Sequence, residues 1–387
     1  MHSLPTRVVL LAFFAASLQF FDVLSAAAPP DNTSILFIGT YTGAKSRGIY
    51  TSRFNSANGR LSPPELAAET RNPSFLVVHP NRRWLYAVGE VDDFAGQHAG
   101  AVSAFQIDQE TGRLTLLNAQ PSGGSAPCHL SLDPSGKCLL VANYSSGSIA
   151  AFPVGLDGQV GPKSASIQHH GSSVNPQRQE GPHAHFIVPA PGGHRALTCD
   201  LGLDKVFVYH LDADQASLVP NEPPSVSLKP GSGPRHLAFH PDGRHVYVIN
   251  EMGSSLTAFE YQAKTGGLKE LQTVSTLPSD FKGENTCAEV QIAASGHFVY
   301  ASNRGHNSIA AFAVDPRRGT LTSLVCEPSG GKTPRHFLLD PTGRWLLAEN
   351  QDSGNLVVFR VDPSQGRLTR TEEKIEVGSP VCAAFLP

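Results

Sequence analysis

GPRHLAFHPDGRHVYVINE, residues 233–251, is two apolar runs joined by a Pro-Asp-Gly turn, opened by an Arg–His pair and closed by a glutamate. Nearly the same order returns as TPRHFLLDPTGRWLLAEN at 333–350. From His236, a turn glycine (Gly243) follows seven residues on and Asn250 fourteen residues on; His336, Gly343 and Asn350 repeat the spacing, as do His129, Gly136 and Asn143. Looser copies fit the same ruler: Glu289 with Gly296 and Asn303, His185 with Gly192 and Cys199, Phe75 with Arg82 and Gly89. Anchors that recur about every fifty residues indicate a repeat architecture. One further step lands on Cys382 in SPVCAAFLP, and the remainder of that unit stands at the other end of the sequence, in SILFIGTYTG and GIYTSRFNSANGRL, within residues 34–61.

Each unit has one grammar. An apolar run (HLAFHP) meets a Pro-x-Gly turn, a second run (HVYVINE) and a third (SLTAFEY) follow, and a polar run (LKELQTVS) closes the unit. Short runs rich in Val, Ile, Phe and Tyr, punctuated by Gly, Pro and Asp, are strands joined by hairpins. Four strands per unit make the blade of a β-propeller. The sequence therefore predicts an all-β, seven-bladed β-propeller over residues 31–387, closed by a last strand at about 380–386 pairing with the strand at 34–41. The 36 glycines and 30 prolines fall at the turns. A net charge of −3 without a Lys/Arg cluster excludes a nucleic-acid-binding surface as the expected function.

Residues 1–28 read differently. MHSLPTR carries positive charge, VVLLAFFAASL is a short apolar core, and SAAAPP offers small residues at a cleavage point. That order predicts a signal peptide and an exported protein, periplasmic or extracellular, with no membrane span in the mature chain; a retained anchor is the alternative. The six cysteines, at 128, 138, 199, 287, 326 and 382, are scattered along the repeats with no Cys-x-x-Cys pair, so buried free thiols and disulfides both remain open.

In such a blade the start of the first strand and the end of the second lie at one mouth of the central channel. A residue shared by most blades serves the blade, so Asn143, Asn250, Asn303 and Asn350 read as turn amides, and His129, His236 and His336 as structural. The exceptions are more informative. One place beyond the asparagine the series runs Glu90, Tyr144, Asp200, Glu251, Arg304 and Gln351; Arg235 and Arg335 precede two anchors, and Glu289 replaces an anchor histidine. Asp200, Arg335 and Glu289, together with His183, are candidate substrate-binding residues. The polar insertion QHHGSSVNPQRQEGPHAHF at 168–186 gathers His169, His170, His183 and His185, but supplies no complete ligand set, so neither a metal nor another cofactor is expected. No Gly-x-Ser-x-Gly elbow marks a serine hydrolase.

RQEGPHAH, CDLGLDKVFVYH, GPRHLAFHPDGRHVYVINE, AEVQIAASGHFVYASNRGHNSIAAF and PRHFLLDPTGRWLLAEN together resemble the seven-bladed lactonase family, across essentially the whole predicted propeller. That family includes propeller-type 6-phosphogluconolactonases and carboxymuconate lactonising enzymes. The resemblance implies catalytic roles for His185 of PHAH, Arg235 of GPRH, Glu251 of VINE and Arg304 of SNRG. Ala293–Ala294 departs from the family's proline-containing turn, at the far end of the blade. The implied partner is a small lactone, anionic or sugar-derived, handled by a monomer. Three functions stay open: lactone hydrolase, lactonising enzyme (cyclase), or non-catalytic carbohydrate- or protein-binding propeller.

Overall fold

The computed structural model describes residues 1–2 and 32–386; the signal peptide expected at 1–28 lies essentially outside them. From Thr33 onward the chain forms seven antiparallel sheets. Blade 1 is the split one. Its strand Thr33–Thr40 pairs on one side with Gly48–Asn55 and on the other with Pro380–Phe385, so both ends of the chain meet in one sheet. Blades 2 to 7 open with the first strands Leu76–Val78, Pro127–Leu132, Ala184–Pro189, Pro234–Phe239, Thr286–Ile292 and Pro334–Leu339, and each continues as a four-stranded meander.

Strand position in the blade explains the composition of each run. Second strands such as Cys138–Asn143, His245–Asn250 and Trp345–Asn350 are buried at every residue, because both of their faces meet neighbouring blades. Outer strands such as Leu368–Glu376 alternate exposed and buried residues. The apolar side chains form seven clusters, each shared by two adjacent blades. One cluster joins Leu36, Ile38, Phe54 and Phe385 of blade 1 to Leu338, Trp345 and Leu347 of blade 7, which closes the ring. All six cysteines are free; five are buried and Cys326 is half-buried.

In blades 3 to 7 the first strand begins with a register shift against the second strand, as between Pro234 and His236 and between Pro334 and His336. A bulge inserts one residue and re-aims its side chain. Arg235 and Arg335 are such inserted residues, while His236 and His336 return to the ladder. In blade 4 the shift falls between Ala184 and Phe186, and Ala184 pairs with Asp200. The ruler predicted from sequence is therefore one residue off in this blade. Phe186, not His185, is the counterpart of His236, His185 is the counterpart of Arg235, and Asp200 is the counterpart of Asn250. The turn agrees, since Gly193 closes onto Ala190 as Gly243 closes onto His240.

The ladder residues point at the axis. Phe75, His129, Phe186, His236 and His336 come from five blades, yet their ring centroids lie 4.0 to 6.0 Å apart. They plug the channel. The four asparagines carry amides to the adjoining hairpin, as in Asn250 Nδ2 to Ser255 Oγ at 3.0 Å and Asn303 Nδ2 to Thr276 O at 3.0 Å. Closure by the last strand has a measurable consequence. Phe385, tilted against Phe54 at 5.4 Å, anchors Pro380–Phe385 in the blade 1–blade 7 cluster. Phe385→Ala is expected to lower the unfolding free energy by about 3 kcal/mol, read from urea titration.

Candidate active site

Above the plug lies a cavity of about 370 Å³ lined by Tyr41, Glu90, Cys128, Tyr144, Arg178, His185, Glu251, Thr286, Arg304 and Arg335. Most of this wall follows two rules of position. Cys128, His185 and Arg335 are inserted bulge residues; Tyr41, Glu90, Tyr144, Glu251 and Arg304 each stand just beyond the turn residue that ends a second strand. Tyr41 is this residue in the split blade, because Thr40 pairs with Pro380 where Asn250 pairs with Pro234.

Glu251 is the centre of charge. Its Oε1 accepts a hydrogen bond from Arg178 Nη2 at 2.6 Å, and its Oε2 lies 2.9 Å from Arg304 Nη2 and 3.1 Å from Arg235 Nε. Burial alone would raise this carboxyl, but Arg304, Arg235 and Arg178 outweigh it and hold the group down at about 2. A carboxylate so stabilised is a poor base near neutrality. Arg235 is 2 % exposed and sits behind the wall, with its Nη1 donating to Ala288 O at 2.7 Å. It braces Glu251 instead of facing the cavity.

His185 has the opposite electrostatics. Burial, then Arg235, Arg335 and Arg304, keeps its imidazole well below the ordinary histidine range, and its Nδ1 has no hydrogen-bond partner among the described residues. It stands edge-on to Tyr144 at 5.5 Å. The site thus offers a neutral, underused base beside guanidinium groups. Arg335 lies 5.2 Å over the Tyr41 ring, and the Tyr41 hydroxyl donates to Glu90 at 2.9 Å.

Three residues expected at the substrate lie outside the cavity wall. His183 stacks on Tyr144 at 4.6 Å and 17°, supporting it from behind. Asp200 is fully buried, with Oδ1 accepting the His183 N–H at 2.9 Å and Oδ2 held 2.6 Å from His169 Nδ1. Glu289 belongs to the axial plug, 2.9 Å from His236 Nδ1. Of the anchor histidines read as structural, His236 and His336 face carboxylates, with His336 Nδ1 2.7 Å from Glu349 Oε2.

Sequence reasoning missed Tyr41, Arg178 and Thr286. Arg178 comes from the insertion whose histidines drew attention. His169 ties that insertion down through Asp200 and the Tyr209 hydroxyl, and Gln179 does so through Leu201 O. The four histidines do not gather. Among the described residues, His240, Asp242 and His245 do lie with ligand atoms within 4.8 Å of one another, in the Pro-Asp-Gly turn at the other end of the blade. His240 bonds Gly296 O as His79 bonds Gly136 O in another blade, which identifies it as a turn residue first.

Comparison with known proteins agrees with this architecture. The family described as "Lactonase, 7-bladed beta-propeller" matches residues 35–385. A 6-phosphogluconolactonase of Bacillus subtilis is 39% identical over 350 residues, 90% of this chain and 97% of that protein. A 6-phosphogluconolactonase of Formosa agariphila is 35% identical over 311 residues, 79% of this chain and 86% of that protein. Among solved structures, the periplasmic gluconolactonase of Pseudomonas aeruginosa superposes with a TM-score of 0.87 at 37% identity, covering 92% of this chain and 99% of that one. With seven blades, a ring closed through both termini and a match along nearly its whole propeller, the chain belongs to the family of seven-bladed β-propeller lactonases.

Proposed function

We propose that this chain hydrolyses a sugar-derived lactone in the cavity at the channel mouth. The observation that carries the reading is the neutral imidazole of His185 lining the same cavity as Arg304 and Arg335. His185 takes a proton from water as the oxygen attacks the lactone carbonyl. The C=O electron pair moves onto oxygen, and guanidinium groups stabilise that oxyanion. On collapse the ring C–O bond breaks, and the imidazolium returns its proton to the departing alkoxide. Glu251 acts by holding Arg178, Arg235 and Arg304 in place.

The charge balance indicates what is bound. Arg178, Arg235, Arg304 and Arg335 are set against Glu90 and Glu251, an excess of positive charge that suits an anionic substrate or the carboxylate of the product. The volume fits one hexose-sized ring. The order of residues in the first 28 positions supports export, and one relative is named a periplasmic gluconolactonase. Phosphorylated sugar lactones are cytoplasmic metabolites, so an unphosphorylated aldonolactone is the preferred substrate in this reading. Among the described residues no helix is long and apolar enough to cross a membrane.

A pH-stat screen of aldonolactones with the purified protein tests the function; binding without ring opening would leave a binding propeller instead. His185→Gln is expected to lower kcat by about 10²-fold, because the amide keeps the volume and loses the basicity. Glu251→Gln is expected to cost about 10²-fold in kcat/KM through loosened arginines; unchanged kinetics would remove it from the site. Treatment with a strong chelator is expected to leave the rate unchanged, whereas loss of activity restored by one divalent ion would transfer attention to the histidines. N-terminal sequencing of the protein recovered from an exported fraction is expected to begin close to residue 29.

A further inference from the structure

Below the cavity, five buried side chains continue from Glu251 in single file. Arg235 Nε is 3.1 Å from Glu251 Oε2, and Arg235 Nη1 is 3.3 Å from His236 Nε2. His236 Nδ1 is 2.9 Å from Glu289 Oε2, which is 3.8 Å from His336 Nε2; His336 Nδ1 is 2.7 Å from Glu349 Oε2. His129 and His185 flank the His236 ring at 5.4 and 5.1 Å. Glu289 and Glu349 are 5 % and 0 % exposed, so neither is a solvated carboxylate.

We infer that Glu289 is a positioning residue for the reaction, acting through His236 on Arg235 and thereby on Glu251. An arginine N–H donates and never accepts, so Arg235 Nη1 requires a lone pair on His236 Nε2. That requirement puts the ring proton on Nδ1, where an ionised Glu289 accepts it. A proton on Glu289 Oε2, the oxygen that faces Nδ1, reverses the pair: the carboxyl O–H donates to Nδ1, the ring proton moves to Nε2, and two donors then oppose each other at Arg235. The brace under Glu251 loosens. Burial pushes the Glu289 carboxyl up to about 7, against the opposing pull of His336 and Arg235, while nearby Glu349 adds to the rise. The file therefore switches near neutrality.

This inference rests on the lactonase reading. Its test is kcat/KM for glucono-δ-lactone between about pH 5.5 and 8.5, corrected for spontaneous opening, alongside melting temperature over the same range. Wild-type activity is expected to fall on the acid side with a midpoint near 7. Glu289→Gln is expected to lower the plateau by about tenfold and to flatten the profile, because its amide cannot ionise. Glu289→Asp is expected to retain the acid limb at a reduced rate. A flat wild-type profile, or a Glu289→Gln profile with the wild-type limb, would overturn the inference even if the variant is less stable.

Melting supplies an arm independent of activity. A carboxyl raised by folding contributes stability below its unfolded pKa that is lost as pH rises through its folded value. The wild type should thus lose ground to Glu289→Gln between about pH 5 and 8. A difference constant over that range would overturn the inference, even if no lactone proved to be a substrate. Wild type that opens no lactone would instead defeat the reading of function.

Discussion

The inserted residue at the start of the first strand in blades 3, 4, 5 and 7 sets much of the mouth of this propeller. Without it, strict alternation would send neighbouring side chains to opposite faces of the blade, into the apolar clusters between blades. With it, one side chain rises into the cavity and the next turns to the axis. Blades 4, 5 and 7 use the place for His185, Arg235 and Arg335, and blade 3 for Cys128. The position after the second strand supplies the facing wall. Two positions per blade therefore supply most of the cavity wall, and the remaining strand residues are free to be apolar. That separation lets a repetitive scaffold hold an asymmetric site.

Charge within the cavity is arranged around a single carboxylate. Three guanidinium groups share Glu251, and the stability of its ionised form follows from that sharing. Burial, and then the positive charge of Arg235, Arg335 and Arg304, keeps His185 neutral. The two groups are thereby held in opposite charge states by their environment. Glu251 gives up basicity and gains geometry, while His185 keeps its lone pair.

The fold was legible because the ruler depends on turns and buried runs, which every blade needs for closure. Pro-x-Gly turns, second strands and the split unit all stand where the sequence placed them. The single error in register has a clear cause. PHAHF offers His185 in the guise of the anchors at 129, 236 and 336, and the adjacent Gly192 and Gly193 fit the turn equally well. Only strand pairing shows that Phe186 holds the axis. For the site, asymmetry found Glu251, Arg304 and Arg335, since each breaks a repeated pattern. Arg235 was also found, but its burial behind Glu251 depends on packing among three blades. Tyr41 was hidden by the split blade, and Arg178 by an insertion to which no ruler applies.

The two layers of titratable groups follow from the same geometry. Bulge residues line the cavity or, as Arg235 does, back its wall, whereas ladder residues one place along meet one another across the axis. A plug made entirely of phenylalanine would close the channel as well as the observed one, as Phe75 and Phe186 illustrate. Instead His236, Glu289, His336 and Glu349 place hydrogen-bonded titratable groups where water cannot compensate for a lost partner. Buried polar networks of this kind are weak evidence of stability, because desolvation offsets much of their attraction. Their contribution lies in direction. Each donor fixes the acceptor beyond it, so the orientation of Arg235 under the cavity is set from a layer that substrate does not touch.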